Sequence, residues 1–186
     1  MPNLDLSYVA DLIRQAQDGD SNAFAEFFAA TYQKQYEFSL HCLNDRFLAV
    51  DALKSTYTNA LRNLSRVRDA LLCIPWLTQY NIRSCMELQE KQRIMEIKQS
   101  GDKKNMSFKP EDRTISIDGQ VYGLHRIMSL PFTESQSIIL RYHFGMEVKD
   151  IASILELKSK EVKRHIHSGC GRLNGVDLDK EDKKEE

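Results

Sequence analysis

An all-α chain made of two small helical domains joined by a linker, the second ending in a helix-turn-helix, is the fold that three features of the sequence predict. Apolar residues recur every three or four positions through residues 1–99 and again through 122–175. Between these blocks, residues 100–121 lose that period and take up Gly101, Pro110 and a run of polar and charged side chains, the composition of a linker. The second block then closes on two short amphipathic segments separated only by Glu156, Leu157 and Lys158, the spacing of a helix pair joined by a tight turn.

The first block resolves into four helices. Leu6, Val9, Leu12, Ile13 and Ala16 share one helical face, and Asp18-Gly19-Asp20 ends that helix. Asp20 or Ser21 is suited to cap the next, which carries Ala23, Phe24, Phe27, Phe28, Tyr32 and Tyr36 as a broad stripe expected to be core. A third helix is predicted from Arg46 to Leu64, with Val50, Leu53, Tyr57, Ala60, Leu61 and Leu64 inward. Asp51, Lys54, Ser55, Thr58 and Asn59 fall on its other face. Ser65 to Asp69 shows little periodicity. Pro75 suits the first position of a fourth helix that buries Trp76, Leu77, Tyr80 and Leu88 and runs to about Gln99.

Within the linker, Thr114 to Ile117 and Gln120 to Tyr122 alternate around Asp118-Gly119, a dipeptide favoured in two-residue hairpin turns. The pattern fits a short β-hairpin or an extended linker equally, and a hairpin this small needs a helical domain to dock on. After Leu124, Ile127 and Met128, Thr133 and Gln136 have the spacing of a capping box, and Gly145 is placed to end that helix. The last pair is predicted as Val148–Leu155, with Ile151, Ala152 and Leu155 inward, and a helix from Ser159 with Val162 and Ile166 inward. Ala152 opposite Val162 is small enough to let the two axes cross closely.

The face this last helix leaves outside carries Lys160, Lys163, Arg164 and His167 at spacings of three and four, interrupted by Glu161. Such a face can neutralise phosphates while the first turn reaches base edges in a major groove. The alternative is a helical hairpin whose charges are solvated. With 26 basic and 27 acidic residues, the chain as a whole is no polycation, so any nucleic-acid contact has to come from local clustering. Residues 176–186 hold six acidic and three basic side chains without periodicity, which predicts a disordered acidic tail.

Four cysteines without a Cys-x-x-Cys pair, and His165 and His167 two apart on a helix, give no metal-ligand pattern, so no cofactor or metal is expected. Reduced thiols, no signal peptide and no apolar run of spanning length predict a cytoplasmic protein away from the membrane. No nucleophile–base pair or phosphate loop is found, and an enzyme is the least expected reading.

The two blocks and their connector resemble the extracytoplasmic-function type of bacterial sigma factor, in the sigma-70 superfamily. The resemblance rests on Asp18-Gly19-Asp20 with Ala23-Phe24 and Tyr32, on Ala49 to Ala52 with Tyr57, and on Trp76-Leu77. In the second block it rests on Leu130-Pro131, Ile138 to Tyr142, Ile151-Ala152, Leu155, Leu157, Val162-Lys163 and Leu173. Residues 1–99 would then be similar to sigma region 2 and residues 122–175 to region 4.

The resemblance implies partners and roles. Core RNA polymerase would meet Asp51, Lys54, Ser55 and Thr58. Arg62, Asn63, Arg66 and Arg68 would stand in or beside the loop that reads the unpaired −10 strand. Ser159, Lys160, Lys163, Arg164 and His167 would enter the double-stranded −35 element, and an anti-sigma factor is a further partner of this kind of protein. The chain departs from the family where Lys54 and Ser55 replace a glutamine and an acid, where Ile82-Arg83 replaces arginine-asparagine, where Glu156 stands in a turn that often holds glycine, and where Gly169 replaces alanine. Two other readings stay open: a sigma-like DNA-binding regulator with weakened polymerase binding, and a helical protein-interaction module that uses no DNA.

Overall fold

The computed structural model describes residues 5–100 and 114–175, which fall into two compact units. The expected mobile part of the linker, 101–113, and the expected acidic tail, 176–186, lie outside the described residues.

The first unit holds α1 (Leu6–Gln17), α2 (Ser21–Leu43), α3 (Arg46–Arg62) and α4 (Cys73–Ser100), with two short 3-10 turns, Leu64–Arg66 and Ala70–Leu72, between α3 and α4. Each of the first three helices starts on an aspartate. Asp5, Asp20 and Asp45 accept the amides of the first turn that have no helical partner. α4 opens at Cys73, so Pro75 sits inside the first turn rather than at the first position; with no amide to offer, it loses nothing there.

Two expected faces differ in part. On α3 the buried strip is Ala49, Ala52, Leu53, Thr56, Tyr57 and Ala60, whereas Val50 and Leu61 point outward. Ala49, Ala52 and Ala60 let α3 lie close against both α2 and α4, and Val50 and Leu61 fall on the side away from them. On α2 the buried set is Ala23, Phe27, Thr31, Gln35, Phe38, Ser39, Cys42 and Leu43. The aromatic stripe lies along its flank instead: Phe24, Tyr32 and Tyr36 are half-buried and Phe28 is 40% exposed. Phe28 packs edge-on against Tyr57 with ring centroids 4.7 Å apart.

The core of this unit is partly polar. Asn81 of α4, fully buried, donates from Nδ2 to the backbone carbonyl and to Oε1 of Gln35, both at 2.9 Å. Its Oδ1 accepts from Ser39 Oγ at 2.6 Å, and Gln35 Nε2 donates to Thr78 Oγ1 at 2.9 Å. Alongside, the Thr31 hydroxyl donates to the Phe27 carbonyl and accepts from Tyr57 at 2.7 Å. Burial pushes the Tyr57 hydroxyl up to about 12 and the Cys73 thiol up to about 11, so both are neutral at physiological pH and Cys73 is no thiolate nucleophile.

The second unit begins with a hairpin, β1 (Thr114–Ile117) and β2 (Gln120–Gly123), paired antiparallel with Ile117 opposite Gln120. Asp118 and Gly119 both have positive φ, the geometry of a two-residue turn that suits the twist of the strands. Ile115, Ile117 and Tyr122 are buried, so the hairpin is part of this unit's core rather than a free linker. Then come α5 (Leu124–Met128), α6 (Phe132–Ile138) with a wider π-type turn over Ile139–His143, α7 (Val148–Leu155) and α8 (Ser159–Leu173). The predicted capping box at Thr133 does not form. The cap position is Pro131, without a side-chain bond, and Gln136 is buried.

Close packing holds α8 in place. A Cβ at Gly169 would stand 2.6 Å from Ile138 Cδ1, which accounts for glycine where the resemblance leads one to expect alanine. Beside it the buried Glu134 of α6 accepts from Ser168 Oγ at 2.8 Å and faces Arg172 Nε at 3.3 Å. At the far end Arg126 donates to the Leu173 carbonyl at 2.7 Å, and the Tyr122 hydroxyl meets the side-chain oxygen of Asn174. Among the described residues, no helix is long and apolar enough to cross a membrane.

Candidate functional site

Three groups of residues singled out from the sequence take definite places in the two units. In the second unit, α7 and α8 form the helix pair with the predicted bounds. Ile151 and Ala152 of α7 and Val162 of α8 are buried between them, while Leu155 and Ile166 are half-buried at the margin. Ser159, Lys160, Lys163, Arg164 and His167 are all exposed on α8, and none is held in an ion pair among the described residues. Glu161, which dilutes this basic face in the sequence, serves the helix itself, since its carboxylate accepts the Lys158 amide at 2.8 Å at the start of α8. A negative charge there complements the positive end of the helix and leaves the outer basic face intact.

The turn between the helices is strained. Glu156 has φ 55° and ψ 39°, the left-handed region, and the Leu157 amide bonds back to the Ala152 carbonyl at 3.0 Å. A residue with a Cβ costs about 1 kcal/mol there relative to glycine. Glu156→Gly is therefore expected to stabilise the second unit by about 1 kcal/mol, read as a higher midpoint in thermal or denaturant unfolding of that unit. A lower midpoint would show that interactions of the Glu156 side chain outweigh its backbone strain.

In the first unit, Asp51, Lys54 and Thr58 are exposed and Ser55 is half-buried on the outer face of α3. Lys54 Nζ lies 3.1 Å from Asp51 Oδ1, and Ser55 Oγ is 3.5 Å from Asn59 Nδ2. The lysine thus neutralises its neighbour instead of standing as an isolated positive charge, although an exposed pair of this kind adds little stability. Sequence reasoning missed the apolar members of this face. Phe47 is 84% exposed, Leu61 55% and Val50 37%, and with Lys54 and Thr58 they follow the spacing of one helical side. This side of α3 therefore carries apolar side chains facing solvent among its polar ones. Their signal was present in the periodicity, which fits an outward strip as well as an inward one.

The third group borders the segment from α3 to α4. Arg62 ends α3 in an exposed position. Asn63 caps the helix, donating from Nδ2 to the Asn59 carbonyl at 2.8 Å, so its side chain is half committed to structure. Arg66 and Arg68 are exposed on either side of the buried Val67, and Asp69 turns back to accept the Leu71 amide at 3.0 Å. No group of three or more His, Cys, Asp or Glu residues able to hold a metal occurs among the described residues.

This geometry has parallels among known proteins. Residues 124–173, which span α5 to α8, match the family model described as sigma-70, region 4. Over 90% of this chain and 96% of the other, the fold is similar to CnrH, solved in complex with the cytosolic domain of CnrY, at 16% identity and a TM-score of 0.54. A looser likeness, with a TM-score of 0.46, 17% identity and 83% of this chain against 98% of the other, is to the sigma factor RpoE from Bartonella quintana, solved with the anti-sigma factor NepR. No curated protein sequence matches the chain.

Proposed function

With residues 124–173 carrying a domain of the sigma-70 region 4 kind, we propose that this chain is a sigma factor of the extracytoplasmic-function type, which binds core RNA polymerase and directs it to promoters. The observation that carries this reading is the pairing of two different surfaces in one chain. One is an exposed basic face on the second helix of a helix-turn-helix; the other is an exposed, partly apolar face on α3 of the first unit. A DNA reader alone needs only the first.

In this reading Lys160, Lys163 and Arg164 meet phosphates of the −35 element while Ser159 and the first turn of α8 approach base edges; His167 follows one turn later. Phe47, Val50 and Leu61 join Asp51, Lys54, Ser55 and Thr58 as the surface that core polymerase covers. Arg62, Asn63, Arg66 and Arg68 offer cations and an amide to the unpaired −10 strand, whose phosphates and base edges are both within reach once the duplex is open. Polymerase binding sets the chain in the cytoplasm. A protein that covers these faces would act as an anti-sigma factor; CnrH, whose fold is similar, is solved in complex with the cytosolic domain of CnrY.

A second reading is favoured by one feature. Lys54 pairs with Asp51 and so occupies the acid of the α3 face with a cation of the same helix, which fits a sigma-like regulator that reads DNA without productive polymerase binding. Transcription of fragmented genomic DNA by core polymerase, with RNA 5′ ends mapped with and without the protein, separates the two. The proposed function predicts a small set of new start sites that share a −35-like and a −10-like element. No new start sites, together with salt-sensitive DNA binding by the protein alone, would favour the regulator.

A further inference from the structure

The segment proposed to read the opened strand is held by a residue far from it in sequence. Gln17, the last residue of α1, reaches the turn after α3, and its Nε2 donates at 2.9 Å to the Leu64 carbonyl and at 2.9 Å to the Val67 carbonyl. Both hydrogens of one amide are thereby used, on two carbonyls three residues apart. Leu64 and Val67 are also the two buried side chains of the segment, so each anchor is fixed twice, by its side chain in the core and by its carbonyl on Gln17. Between and after them, Arg66 and Arg68 are exposed. Outside these anchors the turn has few backbone bonds of its own, Arg66 to Asn63 at 2.9 Å and Val67 to Leu64 at 3.2 Å.

From this geometry we infer that Gln17 is a positioning residue, which holds the Leu64–Val67 turn in one conformation so that Arg66 and Arg68 are presented ready-ordered to an unpaired nucleic-acid strand. The inference rests on the proposed function for its ligand, but the tether itself does not. A turn ordered beforehand binds more tightly because its backbone entropy has already been given up in the free protein. α1 also packs against both short turns, so the helix acts as the fixed arm and Gln17 as its hand.

The test compares two charged substitutions of similar length in the full chain. Gln17→Glu sets a carboxylate against two carbonyls and has no donor; Gln17→Lys keeps a donor. In Gln17→Glu, trypsin cleavage after Arg66 and Arg68 and hydrogen exchange at the Val67 amide are expected to rise about tenfold, equivalent to about 1.4 kcal/mol of local opening, with Gln17→Lys in between. Opening of the −10 region by the reconstituted polymerase complex is expected to fall by a similar factor, while binding to the double-stranded −35 element is unchanged.

Unchanged cleavage and exchange in Gln17→Glu would overturn the inference whatever polymerase does. Faster cleavage with undiminished opening by an active wild-type complex would overturn the positioning role. A wild-type protein that opens no promoter with polymerase would sink the proposed function instead, and the cleavage arm would still decide the tether.

Discussion

Replacing Lys160, Lys163 and Arg164 together by alanine is expected to weaken binding of the polymerase complex to promoter DNA on the order of a hundredfold, with the fold of the second unit unchanged. The three side chains are exposed on α8, away from the buried Val162, Gly169 and Leu173 that hold the helix in place, so their removal leaves packing intact. Each cation that neutralises a phosphate releases a condensed counterion. The slope of log affinity against log salt should therefore shrink by roughly one unit for each phosphate no longer neutralised. Weaker affinity at an unchanged slope would mean that these residues do not face phosphates, and an unfolded second unit would mean that they serve α8 itself. Ser159→Ala, by contrast, is expected to alter sequence preference more than the salt slope, because it removes a hydroxyl and no charge.

The second large effect is expected at Asn81, where substitution by leucine should destabilise the first unit by about 3 kcal/mol. Leucine matches the volume of asparagine only roughly and offers no polar atom. Gln35 Oε1 would lose its donor, and the Ser39 hydroxyl would keep only the Gln35 carbonyl, 3.1 Å away, as its acceptor, all among buried side chains. Leaving a buried polar atom unpaired, and forcing a branched apolar side chain among the polar groups that remain, costs more than the net worth of the bonds themselves. The single tryptophan, Trp76, is buried in the same unit, so denaturant unfolding followed by its fluorescence reports on this unit alone. A change below about 1 kcal/mol would show that water enters the site and replaces the missing partners.

The last helix pair was the most legible part of the chain. Its bounds follow from a seam of apolar residues and a tight turn, and both are local features. The same locality explains what the sequence hid. On α3, Leu53, Tyr57 and Ala60, with Leu64 just beyond its end, are buried as expected, but Val50 and Leu61 face outward, because the close packing also uses Ala49 and Ala52, which carry little weight in a hydrophobic pattern. Gln35, Ser39, Thr78 and Asn81 have the spacing of a solvated face, and only their bonds with one another make them a core.

Other features were masked in the same way. The aromatic residues of α2 read as core, yet Phe28, Tyr32 and Tyr36 line its flank, because the strip packed against α1, α3 and α4 is taken by Ala23, Phe27, Thr31, Gln35 and Phe38. Gln17 looks like an ordinary polar helix end until its partners 47 and 50 residues away are seen. The hairpin could be suspected from Asp118-Gly119, but its place in the core depends on Ile115, Ile117 and Tyr122 meeting the helices that follow. Among the candidate site residues, the basic positions of α8 were readable from their charge and period. The apolar positions of the α3 face were not, since exposure of a phenylalanine is set by what the rest of the chain leaves uncovered.

The proposed function requires binding to core RNA polymerase, and the outer face of α3 is the surface proposed for it. Equilibrium binding of the full chain to purified bacterial core RNA polymerase, measured for the wild type and for Phe47→Ala, Leu61→Ala and Lys54→Glu, tests this directly. Wild-type binding in the nanomolar range is expected, weakened at least tenfold by Phe47→Ala and also by Leu61→Ala, since each removes an apolar side chain of the kind that anchors an interface. Lys54→Glu, which leaves two carboxylates side by side, reports whether the lysine contributes to binding. Affinity that none of the three variants changes would place the polymerase-binding surface elsewhere on the chain, and no binding by the wild type would contradict the sigma-factor function itself.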